Sequence, residues 1–389
     1  MSPFSRDLID LPASDGRPVL TIDLAAVQEN WRLIRNSAHG ARTAGVVKAN
    51  GYGCDAIHVA RALKATGCDL LFVASADEGR ALRQDPQLDD IAVCIFYGCM
   101  KGDEIDFKNN RLIPVHNSLD DYERWKPFWH GEPDPAGFAL HIDTGMNRLG
   151  MSANDAAIIA ADPDFRSAPI VFAMSHLASA NTPQSLQNDG QRKAFAAAAS
   201  GLKTVHPGLP LSLANSAGVF LGADYCLDIV RPGIALYGGQ PISSKQLPLE
   251  PVVHLHAPIL QVHHVGAGET VGYGGMHTTA RKSRIATLPL GYADGILRAA
   301  SNQGYGALSG VKVPMVGRIS MDLTTVDITD VPESDIQPGS YVEILGKNVT
   351  IDQLGAASGS FGYEILTGLG NRYRRRNINQ PDPGPSAAK

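Results

Sequence analysis

The chain has 389 residues, enough for one large and one medium domain, with 44% hydrophobic residues, 19% charged residues and a formal net charge of −5. That balance argues against a basic nucleic-acid binder or a membrane-surface protein, since Arg372, Arg374, Arg375 and Arg376 make only one short basic run near a terminus. Five cysteines (Cys54, Cys68, Cys94, Cys99 and Cys226) lack zinc-like spacing, the N-terminus is charged where a secretory signal is apolar, and no run reaches bilayer length, so a cytoplasmic protein with reduced thiols is expected.

The first helical pattern follows Asp23, a candidate cap, with Leu24, Val27, Trp31 and Ile34 spaced along one face. Strand-like runs then come at Thr43–Lys48, Leu70–Ser75, Ile91–Phe96, Leu112–His116, Phe138–Asp143, Ile170–Ser175, Leu211–Ala214 and Ile229–Tyr237. Helical segments separate most of them, at Asp55–Thr66, Ala76–Gln84, Leu119–Phe128, Asn154–Ala161 and Pro183–Ser200. Eight near-continuous apolar strands alternating with helices predict an α/β fold, an N-terminal (β/α)8 TIM-like barrel, with an open doubly wound sheet as the alternative. The absence of G-x-G-x-x-G after the first strand weakens a dinucleotide-binding reading.

After Glu250 the pattern changes to strands without long helices, at His254–His264, Glu269–Tyr273, Ser283–Leu290, Lys312–Val316, Asp322–Ile328 and Tyr341–Leu345. A second, mainly β C-terminal domain is expected over 246–380, the barrel over 13–245, a linker at Ser243–Pro251 and a disordered tail over 381–389.

In such a barrel the working face lies at the C-terminal ends of the strands. Lys48 ends the first, after the apolar run 44–47; apolar walls lower a lysine's pKa and suit it to covalent attachment of an aldehyde cofactor, although a lysine reaching solvent is the plain alternative. Arg148 sits in the glycine-bounded loop 143–150, His176 follows the sixth strand, and Asn215 and Ser216 follow the seventh where a helix starts. Arg231 and Gly233 lie on the eighth. Singly these read as an ion pair, a core histidine or a helix cap. Jointly, a lysine, a phosphate cradle at a helix start and an arginine match the needs of pyridoxal phosphate. His254 and His256 share a strand face, but no acidic or thiol partner shares that strand, so no metal is expected.

VVKANGYG, DTGMNRLG, SHLASA, NSAG, RPGIALYG, GYADG, GRISMD and YEIL together resemble the alanine racemase family, in order and spacing, from about Thr21 to Arg375. The resemblance implies pyridoxal 5'-phosphate carried on Lys48, its phosphate held by Tyr52, Asn215, Ser216, Gly233, Ile234 and Tyr363, and its pyridine nitrogen facing Arg231. It implies further that Arg148 approaches the phenolic oxygen, that His176 lies beside the ring and Arg231, and that the Met321 backbone helps bind the substrate carboxylate. Tyr292 would enter from the partner subunit of a homodimer and share the two-base work with Lys48, with His176 and Arg148 supplying a field that stabilises its anion.

Two positions depart from the family's pattern. His141 stands where many members have a carbamylated lysine, and Ser320 where many have cysteine. Related readings are a barrel decarboxylase, a broad-specificity amino-acid racemase and a non-enzymatic cofactor carrier. A carboxylate at the ring nitrogen marks the decarboxylases, and the carriers lack the second domain.

Overall fold

The structure, a computed structural model, describes residues 10–129, 137–242, 244–337 and 339–381; Ser243 of the expected linker and most of the expected tail lie outside them. By packing, Leu24–Glu250 forms one compact unit and the residues up to Asp23 join Pro251–Ile378 in another.

Among the described residues, the strands of the first unit pair in parallel. Arg42–Thr43 and Gly45–Val46 are two halves of one strand around Ala44, the first pairing with Ile229–Arg231 and the second with Leu70–Val73. Between those ends the order runs through Ala92–Ile95, Leu112–His116, Phe138–His141, Ile170–Met174 and Leu211–Asn215. Because Ala44 and Val46 also donate to Val230 and Pro232, the split strand bonds on both sides and closes the ring. Closure removes the edges an open sheet would have, so the barrel reading holds.

Two expected strands end early. The first gives way at Lys48 to a left-handed turn, with φ of 53° at Ala49, Asn50 and Tyr52 and 62° at Gly51. Left-handed geometry costs about 1–2 kcal/mol per non-glycine residue, and here it is offset by bonds from Ala49 N to Glu78 Oε1 (2.6 Å), from Ala56 N to Asn50 Oδ1 (3.0 Å) and from Gly51 N to the Val47 carbonyl (2.8 Å). The eighth strand stops at Arg231 because Pro232 has no N–H for the ladder, and Ile234–Tyr237 coils into a 3-10 turn.

The helix Leu24–Ser37 buries Leu24, Val27, Trp31 and Ile34, the face its spacing predicts. His116, at the end of its strand, is fully buried between the rings of Trp125 and Phe138, 5.8 and 4.8 Å away. Neither of its nitrogens has a hydrogen-bond partner among the described residues, and burial pushes its pKa down to about 3. The unfolded chain therefore takes up a proton below the ordinary value of 6.5 that the fold refuses until about pH 3, so this group's stabilisation is lost as pH falls through that window. His116→Leu is expected to raise stability at pH 7 by about 1 kcal/mol and to flatten the acid-side slope by about 1.4 kcal/mol per pH unit. Denaturant titrations at pH 7 and 5 measure both; an unchanged slope would mean that His116 is not held neutral.

The second unit is mainly β, as its sequence texture predicts. Its largest sheet runs Val311–Pro314, Tyr305–Leu308, Tyr341–Leu345, Val253–Pro258, Val19–Asp23, Arg374–Ile378. Val19–Asp23, which sequence reading assigned to the barrel span, lies here, antiparallel to Val253–Pro258 and parallel to Arg374–Ile378. All five of its residues are buried, as suits a strand paired on both edges. The expected single run His254–His264 divides after Pro258: Gln261–Val265 belongs instead to a three-stranded sheet with Ser283–Leu288 and Thr324–Asp327. Among the described residues no helix is long and apolar enough to cross a membrane.

Candidate active site

Lys48, His141, His176, Asn215 and Arg231 lie at or just beyond the C-terminal ends of barrel strands, with Arg148 in the loop after Phe138–His141, so one mouth of the barrel gathers them. The Lys48 amine is 5.8 Å from the centre of the Phe96 ring. Burial pulls its pKa down, Arg148 adds to that, and Glu78 opposes it. The result is an amine closer to its neutral, nucleophilic form than a surface lysine.

Arg231 is the most constrained residue of the group, at 2% exposure. One of its terminal nitrogens donates to Ser212 Oγ and the other to the Ser175 carbonyl at 2.6 Å. Its Nε is buried and has no partner among the described residues. Burial pushes the guanidinium down to about 9, still above neutrality, so it keeps its proton. An unpaired buried N–H costs about 1–3 kcal/mol, which marks this atom as a donor waiting for an acceptor.

Arg231 also approaches His176 Nδ1 at 3.5 Å. A guanidinium only donates, so Nδ1 accepts and the His176 proton sits on Nε2. Burial, then Arg231, Arg148, His141 and Lys48 in turn, hold His176 well below its ordinary pKa. Its burial thus opposes the positive field expected of it.

His141 is likewise neutral, pushed down to about 4 by burial and by Arg231. Its Nδ1 lies 2.8 Å from Asn117 Oδ1, and Asn117 Nδ2 is committed to the carbonyls of Phe96 and Val115, both at 3.0 Å. The amide orientation therefore makes Nδ1 the donor and leaves Nε2 an acceptor. An imidazole forms no carbamate, so this position offers an acceptor where a carbamylated lysine would offer a negative charge. Arg148 itself is exposed and makes no hydrogen bond to the described residues. Its loop is shaped by Asp143, whose carboxylate accepts from the amides of Gly145, Met146 and Asn147 at 3.2, 3.0 and 3.1 Å.

The expected phosphate cradle draws Tyr52, Ser216 and Gly233 together. Gly233 N donates to Ser216 Oγ at 2.8 Å, and Ala235 N to the same oxygen at 3.4 Å. A side chain at Gly233 would run into the Tyr52 hydroxyl, so only glycine allows that approach. Tyr52 stacks on Tyr237, ring centres 4.6 Å apart, and Tyr237 is tied to the Val46 carbonyl at 3.0 Å. Ile234 opens the 3-10 turn, whose first amides have no partner within the turn. Asn215 has a local role as well: its Oδ1 accepts from Gly218 N at 3.0 Å and its Nδ2 donates to the Leu177 carbonyl at 3.3 Å. The plain cap reading thus describes Asn215.

Tyr292, Met321 and Tyr363 belong to the β unit. Tyr292 opens the 3-10 turn Tyr292–Asp294 and is 44% exposed; its N–H donates to the Ser320 carbonyl at 3.0 Å, and that of Ala293 to the Met321 carbonyl at 3.1 Å. Ser320 closes its own turn, accepting from Leu323 N at 3.1 Å and donating to the Leu323 carbonyl at 3.0 Å. Tyr363 lies in the helix Gly362–Thr367, its ring edge-on to Phe361 at 5.7 Å.

The amino-terminal domain model of alanine racemase matches residues 22–241 and the carboxy-terminal domain model matches 252–377. The chain belongs to the alanine racemase family. It is 44% identical over 359 residues to the alanine racemase of Acidiphilium cryptum, covering 92% of this chain and 98% of that one. With the alanine racemase of Rhizobium meliloti it shares 43% over 372 residues, 92% of this chain and 96% of the relative. The alanine racemase of Bartonella henselae, solved with covalently bound pyridoxal phosphate, superposes with a TM-score of 0.86 at 35% identity over 93% of this chain and 99% of that one.

Within this family the residues here fit the cofactor. The unpaired Arg231 Nε suits an unprotonated ring nitrogen, and the Gly233–Tyr52 approach with Ser216 suits a phosphate. Sequence reading missed several supports. Ser175 and Ser212 orient Arg231, Glu78 holds the left-handed turn, and Asn117 sets the His141 tautomer. Glu78 alone left a trace, three residues after the capping Ser75.

Proposed function

We propose that this chain interconverts L- and D-alanine, using pyridoxal 5'-phosphate attached to Lys48, as a homodimer in the cytoplasm. The observation that carries the reading is the buried Arg231, whose Nε has no acceptor among the described residues. Pyridoxal phosphate, when bound, draws electrons from the substrate Cα and so acidifies its proton. Arg231 offers the ring nitrogen a hydrogen bond without surrendering a proton, which limits that electron withdrawal and disfavours decarboxylation and transamination. A carboxylate there would do the opposite.

Racemisation needs one base on each face of the substrate. Lys48, with its lowered pKa, serves the D-face, and Tyr292 of the partner subunit serves the L-face. Arg148 supplies the positive field beside the tyrosine. Ser216, Gly233, Ile234 and Tyr52 hold the phosphate, with Asn215 capping the turn beneath it and Tyr363 completing the cradle, and the Met321 backbone meets the substrate carboxylate. Dimerisation is supported by the large apolar residues left exposed in the β unit, Tyr292 at 44%, Met321 at 53% and Phe361 at 61%. Five buried free thiols suit a reducing compartment.

Purified protein supplied with the cofactor is expected to convert L-alanine to the racemate without releasing carbon dioxide. L-lysine and other L-amino acids run in parallel give the substrate range. Carbon dioxide release, or no D-alanine, overturns the reading.

A further inference from the structure

The Tyr292 hydroxyl makes no hydrogen bond to the described residues, so the aim of this side chain is set by the backbone turn that carries it. Backbone bonds from Tyr292 N and Ala293 N to the Ser320 and Met321 carbonyls already join that turn to the Met321 loop, and one side chain adds to them. Arg372 places Nε and one terminal nitrogen on the buried Asp294 carboxylate at 2.6 and 2.7 Å, and its other terminal nitrogen on Asp322 at 2.6 Å. Asp294 closes the Tyr292 turn, its carboxylate accepting from Gly291 N at 2.9 Å, and its carbonyl accepts from Gly370 N at 3.0 Å and from the Tyr373 hydroxyl. Asp322 directly follows Met321. Gly291 and Gly295 allow these segments to touch, since a Cβ at Gly291 would strike the Ser320 and Met321 carbonyls and one at Gly295 the Gly368 carbonyl.

We propose that Arg372 is a positioning residue, one guanidinium that locks the turn bearing Tyr292 to the loop bearing Met321. A planar fork with five donors spans two carboxylates, which a lysine ammonium cannot do with the same geometry. The exposed arm to Asp322 adds little stability, as surface ion pairs do, so its weight falls on geometry. The inference rests on the two-base reading above. Its signature is directional: losing the lock displaces the L-face base and leaves the Lys48 side of the reaction in place.

The test compares wild type with Arg372→Gln, Arg372→Lys and Tyr292→Phe as holoenzymes, following α-proton exchange of each alanine enantiomer in deuterated water, cofactor absorbance and thermal unfolding. For Arg372→Gln, exchange from L-alanine is expected to fall about ten- to a hundredfold while exchange from D-alanine and the absorbance hold. Arg372→Lys keeps the charge against buried Asp294, and is expected to fold and to recover only part of the loss. The positioning inference alone is overturned if Tyr292→Phe loses L-exchange selectively while Arg372→Gln keeps it, if Arg372→Lys equals wild type, or if both enantiomers slow together. If Tyr292→Phe exchanges both enantiomers normally, the two-base reading falls and takes this inference with it.

Discussion

Lys48→Ala is expected to lose the visible absorbance of the bound cofactor and racemase activity together, with turnover down by at least about 10^4-fold, because covalent attachment and one general base disappear at once. The fold should survive. Lys48 is only partly buried at the strand end, and the left-handed turn after it is held by Glu78 and Asn50 through backbone amides, not through the lysine side chain. Circular dichroism and thermal unfolding check that point, and absorbance with a D-alanine assay reads the effect. A variant that kept its colour after extensive dialysis would place the attachment elsewhere. An added amine restoring exchange from D-alanine more than from L-alanine would support the D-face assignment.

Tyr292→Phe is expected to reduce turnover about 10^2–10^4-fold, the usual worth of a general acid–base group. The two enantiomers have equal free energy in water, so kcat/KM must fall equally in both directions and cannot reveal which face lost its base. Exchange can. In deuterated water the variant is expected to keep exchanging the α-proton of D-alanine, through Lys48, and to lose exchange from L-alanine. Equal loss from both would leave Tyr292 without a base role. Phenylalanine keeps the ring and the turn, whose bonds to Ser320 and Met321 are made by backbone atoms, so the substitution removes the hydroxyl alone.

Where the candidate site residues sit was legible because a βα barrel gathers them at strand ends, and apolar runs followed by Lys48, His176, Asn215 and Arg231 mark those ends directly. The charge states at the site were not. A histidine letter carries no desolvation, and only the walls around His141 and His176 make both neutral. That desolvation opposes the positive field expected of His176.

The residue pattern by itself determined the barrel, the mainly β second unit, the family and the order of the motifs, since apolar periodicity and short contiguous motifs are local properties. Tertiary structure decided that Val19–Asp23 is a strand of the second unit, because its pairing partners lie more than 200 residues along the chain. It decided as well that the first barrel strand ends in a left-handed turn, that Arg231 Nε is left without a partner among the described residues, and that Arg372 joins Asp294 to Asp322. Each depends on which distant groups share a low-dielectric neighbourhood or meet within hydrogen-bond reach, and only the folded chain brings those groups together.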